Sequence, residues 1–218
     1  MRITFDLDGT LIDSAGQIHA IANRVLAGEG ASPLPSTLVK SFVGNGLPVL
    51  LDRSCDAAGL ERSAERIERM RLAFEELYAT DFSGATLYPG VIEALETLTD
   101  QGHALALCTN KPNGPTLATL AHFGLDRLLP VVIGGDSLPV RKPDPAPLQA
   151  AFDALGNGPC LYVGDSEVDA ACAEAAKVDF IFFTEGYLRV PLKDLKIRAR
   201  FSDFAALPAL VAGLEESR

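Results

Sequence analysis

Hydrophobic and polar positions follow two rhythms along this chain. At the start, Ile3, Phe5 and Leu7 alternate with Thr4, Asp6 and Asp8, the two-residue period of a strand in which alternate side chains share a face. The spacing predicts a strand over 2–5 that runs into a turn at Gly9, with the Asp6 and Asp8 carboxylates starting on one side. Over 14–81 the period becomes helical. Ile18, Ile21, Ala22, Val25 and Leu26 mark one helix, which stops at Gly28-Glu29-Gly30. Further helices are predicted over 34–42, 48–58 and 61–78, the last with an apolar stripe of Ile67, Met70, Phe74, Leu77 and Tyr78. Its many Glu and Arg residues read as a solvated face with supporting charge pairs.

From Leu87-Tyr88-Pro89-Gly90 onward, helix and strand alternate. Helices are predicted over 91–99, 116–122, 147–155, 169–176 and 204–214, and strands over 104–108, 131–133, 160–163 and 180–183. This order implies an α/β fold, a doubly wound parallel sheet covered by helices on both faces. The expected division is a core of residues 1–13 and 82–218, with the helical stretch 14–81 inserted after the first strand.

Composition narrows the function classes. With 218 residues, 48% hydrophobic and 22% charged, the chain suits one α/β domain plus a modest insertion. No apolar run approaches the roughly 20 residues of a membrane helix, so no membrane span is expected. The first strand begins almost at once, and a cytoplasmic protein is expected. A formal charge of -10, from 19 basic and 29 acidic residues, disfavours nucleic acid as a partner and requires local positive charge wherever an anionic substrate binds. Cys55, Cys108, Cys160 and Cys172 lack the spacing of a zinc site or a disulfide framework and read as reduced thiols. His19, His103 and His122 are scattered and read as structural or exposed.

In open α/β sheets, ligands bind beyond the carboxyl ends of the strands. There the first strand offers Asp6 and Asp8, and the strand ending at Cys108 offers Thr109, Asn110 and Lys111. The next leads through Gly134-Gly135-Asp136 to Arg141-Lys142-Pro143-Asp144-Pro145, and the one ending at Val163 opens into Gly164-Asp165-Ser166-Glu167-Val168-Asp169. Each cluster alone is ordinary loop composition. Together they bring acids, a hydroxyl, an amide and an ammonium to one pocket. Two acids as close as Asp6 and Asp8 repel unless a cation lies between them or one is protonated. The acids suit a hard cation such as magnesium, and Thr109, Asn110 and Lys142 suit an oxyanion.

In order and spacing these residues resemble the motifs of the haloacid dehalogenase-like superfamily of aspartyl-phosphate phosphatases, over almost the whole chain. Asp6-Leu7-Asp8-Gly9-Thr10-Leu11-Ile12-Asp13-Ser14 is similar to its first motif and Thr109-Asn110-Lys111-Pro112 to its second. Lys142 with Pro143 resembles the third, and Gly164-Asp165-Ser166 through Asp169 the fourth. The resemblance implies that Asp6 is the nucleophile and Asp8 the acid/base, with Thr109, Asn110 and Lys142 on the phosphate. Magnesium would be held by Asp6, the backbone carbonyl of Asp8, and Asp165, while Asp169 would orient Lys142 or the metal's outer shell. The helical insertion resembles the small cap of the phosphoglycolate phosphatase-like subgroup, with Gly44, Asn45 and Gly46 as cap residues near the substrate; Gly44 and Gly46 could equally mark a helix-helix turn. One departure stands out: Ala176-Lys177-Val178-Asp179 lacks the glycine that family members often carry before the next strand.

The implied activity is hydrolysis of a small phosphorylated metabolite, 2-phosphoglycolate foremost. Another small phosphate ester or pyrophosphate, and a sugar phosphomutase, remain open alternatives. A dehalogenase would need neither magnesium nor Asp8, and a non-catalytic binding module would not need the full set of acids and lysine.

Overall fold

The computed structural model describes residues 1–217. A six-stranded, wholly parallel sheet carries the larger part of the chain, ordered β5-β4-β1-β6-β7-β8. Its strands are β1 (Arg2–Phe5), β4 (Ala104–Cys108), β5 (Val131–Ile133), β6 (Cys160–Gly164), β7 (Asp179–Phe183) and β8 (Ala199–Phe201). The chain builds outward from β1 to β4 and β5, then returns to the other side of β1 for β6, so strand order reverses at β1. Such a reversal opens a crevice at the carboxyl ends of the flanking strands.

Ile3, Phe5 and Leu7 pack with Val91, Leu95 and Leu98 of α5 (Val91–Asp100) and with Leu207 and Val211 of α9 (Leu207–Glu216). On the opposite face, Ala106, Cys108 and Tyr162 pack with Leu148 and Phe152 of α7 (Ala146–Ala154) and Ala173 of α8 (Glu167–Ala176). Fully burying one such Leu, Val or Phe contributes about 1.5–3 kcal/mol. The strand alternation therefore commits Thr4 and Asp6 to the face away from α5 and α9.

Residues after β1 form α1 (Ala15–Gly28), α2 (Ser36–Lys40), α3 (Leu47–Ala58) and α4 (Ala64–Thr80) around a second apolar core that includes Ile18, Leu26, Leu51, Met70 and Phe74. Among its buried residues, Tyr187, from the loop after β7, is the one contributed from outside the segment 14–81. At the base of the helices, β2 (Ile12–Asp13) pairs antiparallel with β3 (Thr86–Leu87), clamping the entry and exit of the segment side by side. Helix α6 (Asn113–Phe123) follows β4.

The expected strands recur with boundaries moved by a residue at most. Helix ends move further, and for local reasons. Helix α4 begins at Ala64 because Ser63 takes the cap, accepting from the Arg66 N–H at 3.2 Å. Helix α2 is shorter than the predicted 34–42: Pro35 precedes its first turn, and the chain turns again before Gly44 (φ 108°) and Gly46 (φ 85°). The β2–β3 ladder and β8 were not anticipated. Two residues per strand carry no periodicity, and β8 is a three-residue edge strand with Arg200 at its centre. Where the family often has glycine after α8, Lys177 adopts the left-handed conformation (φ 58°) that ends the helix, so a non-glycine residue holds the glycine geometry.

The isolated histidines and cysteines lie outside the chemistry. His103 meets the Met1 amine at 2.9 Å, His19 the Leu34 carbonyl at 2.9 Å, and His122 stacks on Phe82 at 4.1 Å. Cys55, Cys108 and Cys172 are buried thiols. No helix among the described residues is long and apolar enough to cross a membrane.

Candidate active site

The register of the central strands assembles the site. Phe5 stands opposite Leu107 on β4 and Val163 on β6. One residue further along, Asp6 stands beside Cys108 and Gly164, and the next residues on those strands are Thr109 and Asp165. The β1–β6 ladder continues into this zone, since Asp6 N–H donates to the Val163 carbonyl at 2.9 Å.

Asp6 Oδ1 meets Lys142 Nζ at 2.9 Å. That ammonium also donates to Asp169 Oδ1 at 2.7 Å and to the Tyr162 hydroxyl at 2.8 Å, and the Tyr162 hydroxyl in turn donates to Asp169 Oδ1 at 2.7 Å. Ser166 caps α8 and forms a reciprocal pair with Asp169, whose Oδ2 accepts from Ser166 Oγ at 2.5 Å and Ser166 N at 3.1 Å. A helix cap therefore fixes one oxygen of Asp169 and leaves the other for Lys142. Asp165 is held as firmly: Thr10 Oγ1 donates to its Oδ1 at 2.7 Å and the Tyr187 N–H to its Oδ2 at 2.7 Å. Gly9 (φ 93°) and Gly186 press against this carboxylate, and a Cβ at either would collide with Asp165 Oδ2.

Electrostatically this corner is overfilled with negative charge. Burial, then the neighbouring Asp169, pushes Asp6 up to about 7 from the ordinary 3.8. Burial, then Asp169 and Asp6, raises Asp165 well above the usual range. Burial is the largest influence on the Asp169 carboxylate and works against it, but the Lys142 ammonium with the hydrogen bonds from Ser166 and Tyr162 together hold Asp169 low. Lys142 is likewise held protonated, since Asp169 and Asp6 overcome its burial. Ligand atoms of Asp6, Asp165 and Asp169 all lie within 4.8 Å of one another. Three buried carboxylates facing one ammonium leave uncompensated negative charge, and the donors are all hard oxygens. The residues present therefore fit a divalent cation.

The Asp8 carboxylate points elsewhere. Its Oδ2 accepts from the Tyr78 hydroxyl of α4 at 3.2 Å, and its Oδ1 lies 3.4 Å from Lys111 Nζ. A metal-ligand role for Asp8 would rest on its backbone carbonyl alone, as the resemblance implies. Asp6, Asp8, Thr109, Asn110 and Lys111 line one pocket with Gly44, Gly46, Phe74 and Tyr78 from the helical segment, enclosing about 470 Å³ with its open mouth included. A buried acid, Asp6, and a partly buried one, Asp8, in separate environments and opening on one cavity, can divide nucleophile and proton-transfer roles.

Lys142 meets Asp6 directly, and Thr109 lines the same pocket as Asp6. Asn110 ties two parts of the molecule together: its amide nitrogen donates to the Gly44 carbonyl at 3.0 Å and the Lys142 carbonyl at 3.0 Å, while its Oδ1 is buried without a hydrogen-bond partner. Asn45 is not among the residues that line the pocket. With its amide oxygen turned to Arg189, it accepts from both terminal guanidinium nitrogens at 3.1 Å. Arg189 also pairs with Glu167 at the start of α8 and donates to the Ser41 carbonyl at 3.2 Å, bridging the helices to the sheet.

Four residues of the site escaped the sequence reading. Tyr162 sits in a strand position that reads as core, and Thr10 stood within the first motif with no assigned role. Lys111 stood within a recognised motif but carried no assigned role. Tyr187 gave no signal; its ring fills the helical core, its hydroxyl accepts from Ser14 N at 2.8 Å and Ala15 N at 3.0 Å and donates to Asp13 Oδ1 at 2.8 Å, and its N–H binds Asp165.

A parallel sheet reversing at β1, with paired acids after that strand and a lysine and further acids after the later ones, defines a hydrolase class. Residues 3–183 match the family model of haloacid dehalogenase-like hydrolases, and the chain belongs to that family. Within it, the chain is 46% identical over 211 residues to a protein of Rhodobacter capsulatus named phosphoglycolate phosphatase, covering 97% of this chain and 96% of that one. A phosphoglycolate phosphatase of Cereibacter sphaeroides (strain ATCC 17025) is 47% identical over 213 residues, covering 97% and 98%. Among solved structures, a predicted phosphoglycolate phosphatase from Haemophilus somnus superposes with a TM-score of 0.89 at 34% identity, covering 96% of this chain and 97% of that one.

Proposed function

We propose that this enzyme is a magnesium-dependent phosphatase that hydrolyses 2-phosphoglycolate to glycolate and phosphate through an aspartyl-phosphate on Asp6. The observation that carries the reading is the opening of Asp6 and Asp8 on one pocket, with Asp6 in the carboxylate cluster against Lys142 and Asp8 turned toward the helical cap. The names of the full-length relatives support phosphoglycolate as the substrate. Cytoplasmic location and a small phosphorylated metabolite as partner belong to the same reading.

In the first step an Asp6 carboxylate oxygen attacks phosphorus, and the bond from phosphorus to the ester oxygen breaks. Asp8, protonated, delivers its proton to that departing oxygen. Thr109 and Lys142 hold the transferring oxygens, and Asp169 with Tyr162 keeps the Lys142 ammonium aimed at Asp6. In the second step Asp8, now a carboxylate, takes a proton from a water that attacks phosphorus and releases Asp6. Asp6, Asp165 and the Asp8 carbonyl would hold magnesium, which would supply positive charge to offset repulsion between nucleophile and phosphoryl group. The cap helices exclude bulk water during the first step.

The test is kcat/KM across 2-phosphoglycolate, hexose phosphates, nucleotides and pyrophosphate at fixed magnesium, with a chelator control. The expected result is a clear preference for 2-phosphoglycolate and loss of turnover in chelator. Preference for a hexose phosphate or pyrophosphate overturns the substrate, and full activity in chelator overturns the metal dependence.

A further inference from the structure

Two lysines are buried at this site, and only one has its charge fully engaged. Lys142 Nζ has three oxygen partners between 2.7 and 2.9 Å: Asp6, Asp169 and the Tyr162 hydroxyl. Lys111, with its side chain wholly shielded, has one: Asp8 Oδ1 at 3.4 Å. The rest of its surroundings is the face of the Tyr78 ring, 3.5 Å from Nζ to the centroid. An ammonium carries three donors, and burying one with so little hydrogen bonding is costly unless another acceptor arrives. The backbone around it is fixed: Lys111 N–H donates to Thr109 Oγ1 at 3.2 Å and its carbonyl accepts from Gly135 N at 2.7 Å. The side chain is thus delivered to the pocket by a rigid loop.

Its place relative to Asp8 identifies the missing acceptor. A group that protonates the departing ester oxygen must touch that oxygen, so the carbon skeleton of the leaving group lies against Asp8. In 2-phosphoglycolate the carboxylate carbon is two bonds from that oxygen, which brings a carboxylate oxygen within contact of any cation next to Asp8. The part of the wall supplied by the helices is mostly apolar, with Ile18, Val43, Leu47, Leu50 and Phe74, while Thr109 and Asn110 supply polar groups from the sheet side. Among the described residues lining the pocket, Lys111 is the cationic side chain. We propose that Lys111 binds the carboxylate of the substrate's leaving group and so sets the preference for a short phosphorylated acid. This inference rests on the phosphatase reading above and names the residue that reading left unassigned.

The experiment compares 2-phosphoglycolate with 2-hydroxyethyl phosphate, of similar size and without the carboxylate, in wild type, Lys111→Met and Lys111→Arg. In Lys111→Met the loss of kcat/KM should be about 10- to 100-fold greater for 2-phosphoglycolate than for 2-hydroxyethyl phosphate, the scale of one charge-assisted hydrogen bond. Lys111→Arg, which keeps the cation, should recover part of that ratio. Glycolate should inhibit the wild type competitively and Lys111→Met far less. Equal losses on both substrates would mean that Lys111 only supports Asp8, and would overturn the proposal, as would no loss on either. A wild type that turns over the two esters equally well would instead sink the substrate reading and this inference with it. Should Lys111→Met fail to fold, Lys111→Gln and the glycolate inhibition of wild type carry the same comparison.

Discussion

The two sides of the pocket are built differently. On the phosphoryl side, Lys142 joins Asp6 and Asp169 at 2.7 to 2.9 Å and Asp165 is held by Thr10 and Tyr187 at 2.7 Å, all anchored on strand ends and a helix cap within the sheet domain. On the leaving-group side, Asp8, Tyr78 and Lys111 meet at 3.2 to 3.4 Å, and Tyr78 comes from the separately packed helices. On the proposed mechanism the first side holds a group common to every phosphate ester, so substitutions there should strike the chemistry whatever the substrate. The second is assembled from two apolar cores and keeps a cation in reserve, so substitutions there should alter which substrate is chosen.

The largest expected effect tests the first side. Asp6→Asn is nearly isosteric but cannot attack phosphorus, and turnover should fall by about 10⁴-fold or more on every ester tried, with the circular dichroism spectrum unchanged. A folded variant retaining substantial turnover removes Asp6 from the role of nucleophile.

A second prediction reads the charge crowding without catalysis. With Asp6 pushed up to about 7 against 3.8 in the unfolded chain, the folded metal-free protein keeps a proton that the unfolded chain loses above about pH 4. Stability from this group is therefore present at low pH and is lost as pH rises from about 4 to about 7. In chelator, wild type should lose more thermal stability between pH 5 and pH 8 than Asp6→Asn, whose amide does not titrate. Added magnesium should raise the melting temperature of wild type more at pH 8 than at pH 5, because it favours the carboxylate. Equal pH slopes for the two proteins would show that Asp6 is not the strained group.

The smallest effect lies at the junction of the two sides. Tyr187→Phe keeps the ring in the helical core and the N–H on Asp165, and removes only the hydroxyl that holds Ser14, Ala15 and Asp13. The expected cost is about 1–2 kcal/mol of stability and a several-fold rise in KM, with kcat changed less. A large fall in kcat at unchanged KM would mean that the hydroxyl acts on the chemical step rather than on the seating of the helices.

Legibility in the sequence follows the same divide. Asp6, Lys142, Asp165 and Asp169 could be found because each follows a strand whose apolar period is strong, and a parallel sheet sends every such end to one edge. Tyr162 could not, because one hydroxyl on a residue surrounded by Leu161 and Val163 looks like core from the pattern alone. The partner of the Asn45 side chain was equally hidden: it is Arg189, a residue 144 positions away whose loop has no periodicity.

By itself the sequence determined the strand and helix order, the parallel sheet and the polar residues at its carboxyl edge, since these depend on hydrophobic period and on short motifs. The tertiary structure alone decided how the helices meet the sheet. The β2–β3 clamp, the Asn110 bridge to Gly44, the Tyr187 ring in the second core and the turn of Asp8 toward Lys111 are contacts between segments far apart in the chain. Local periodicity records which side of an element is apolar; it holds no information about which distant polar atom will complete a hydrogen bond, and that is set only when the two cores pack.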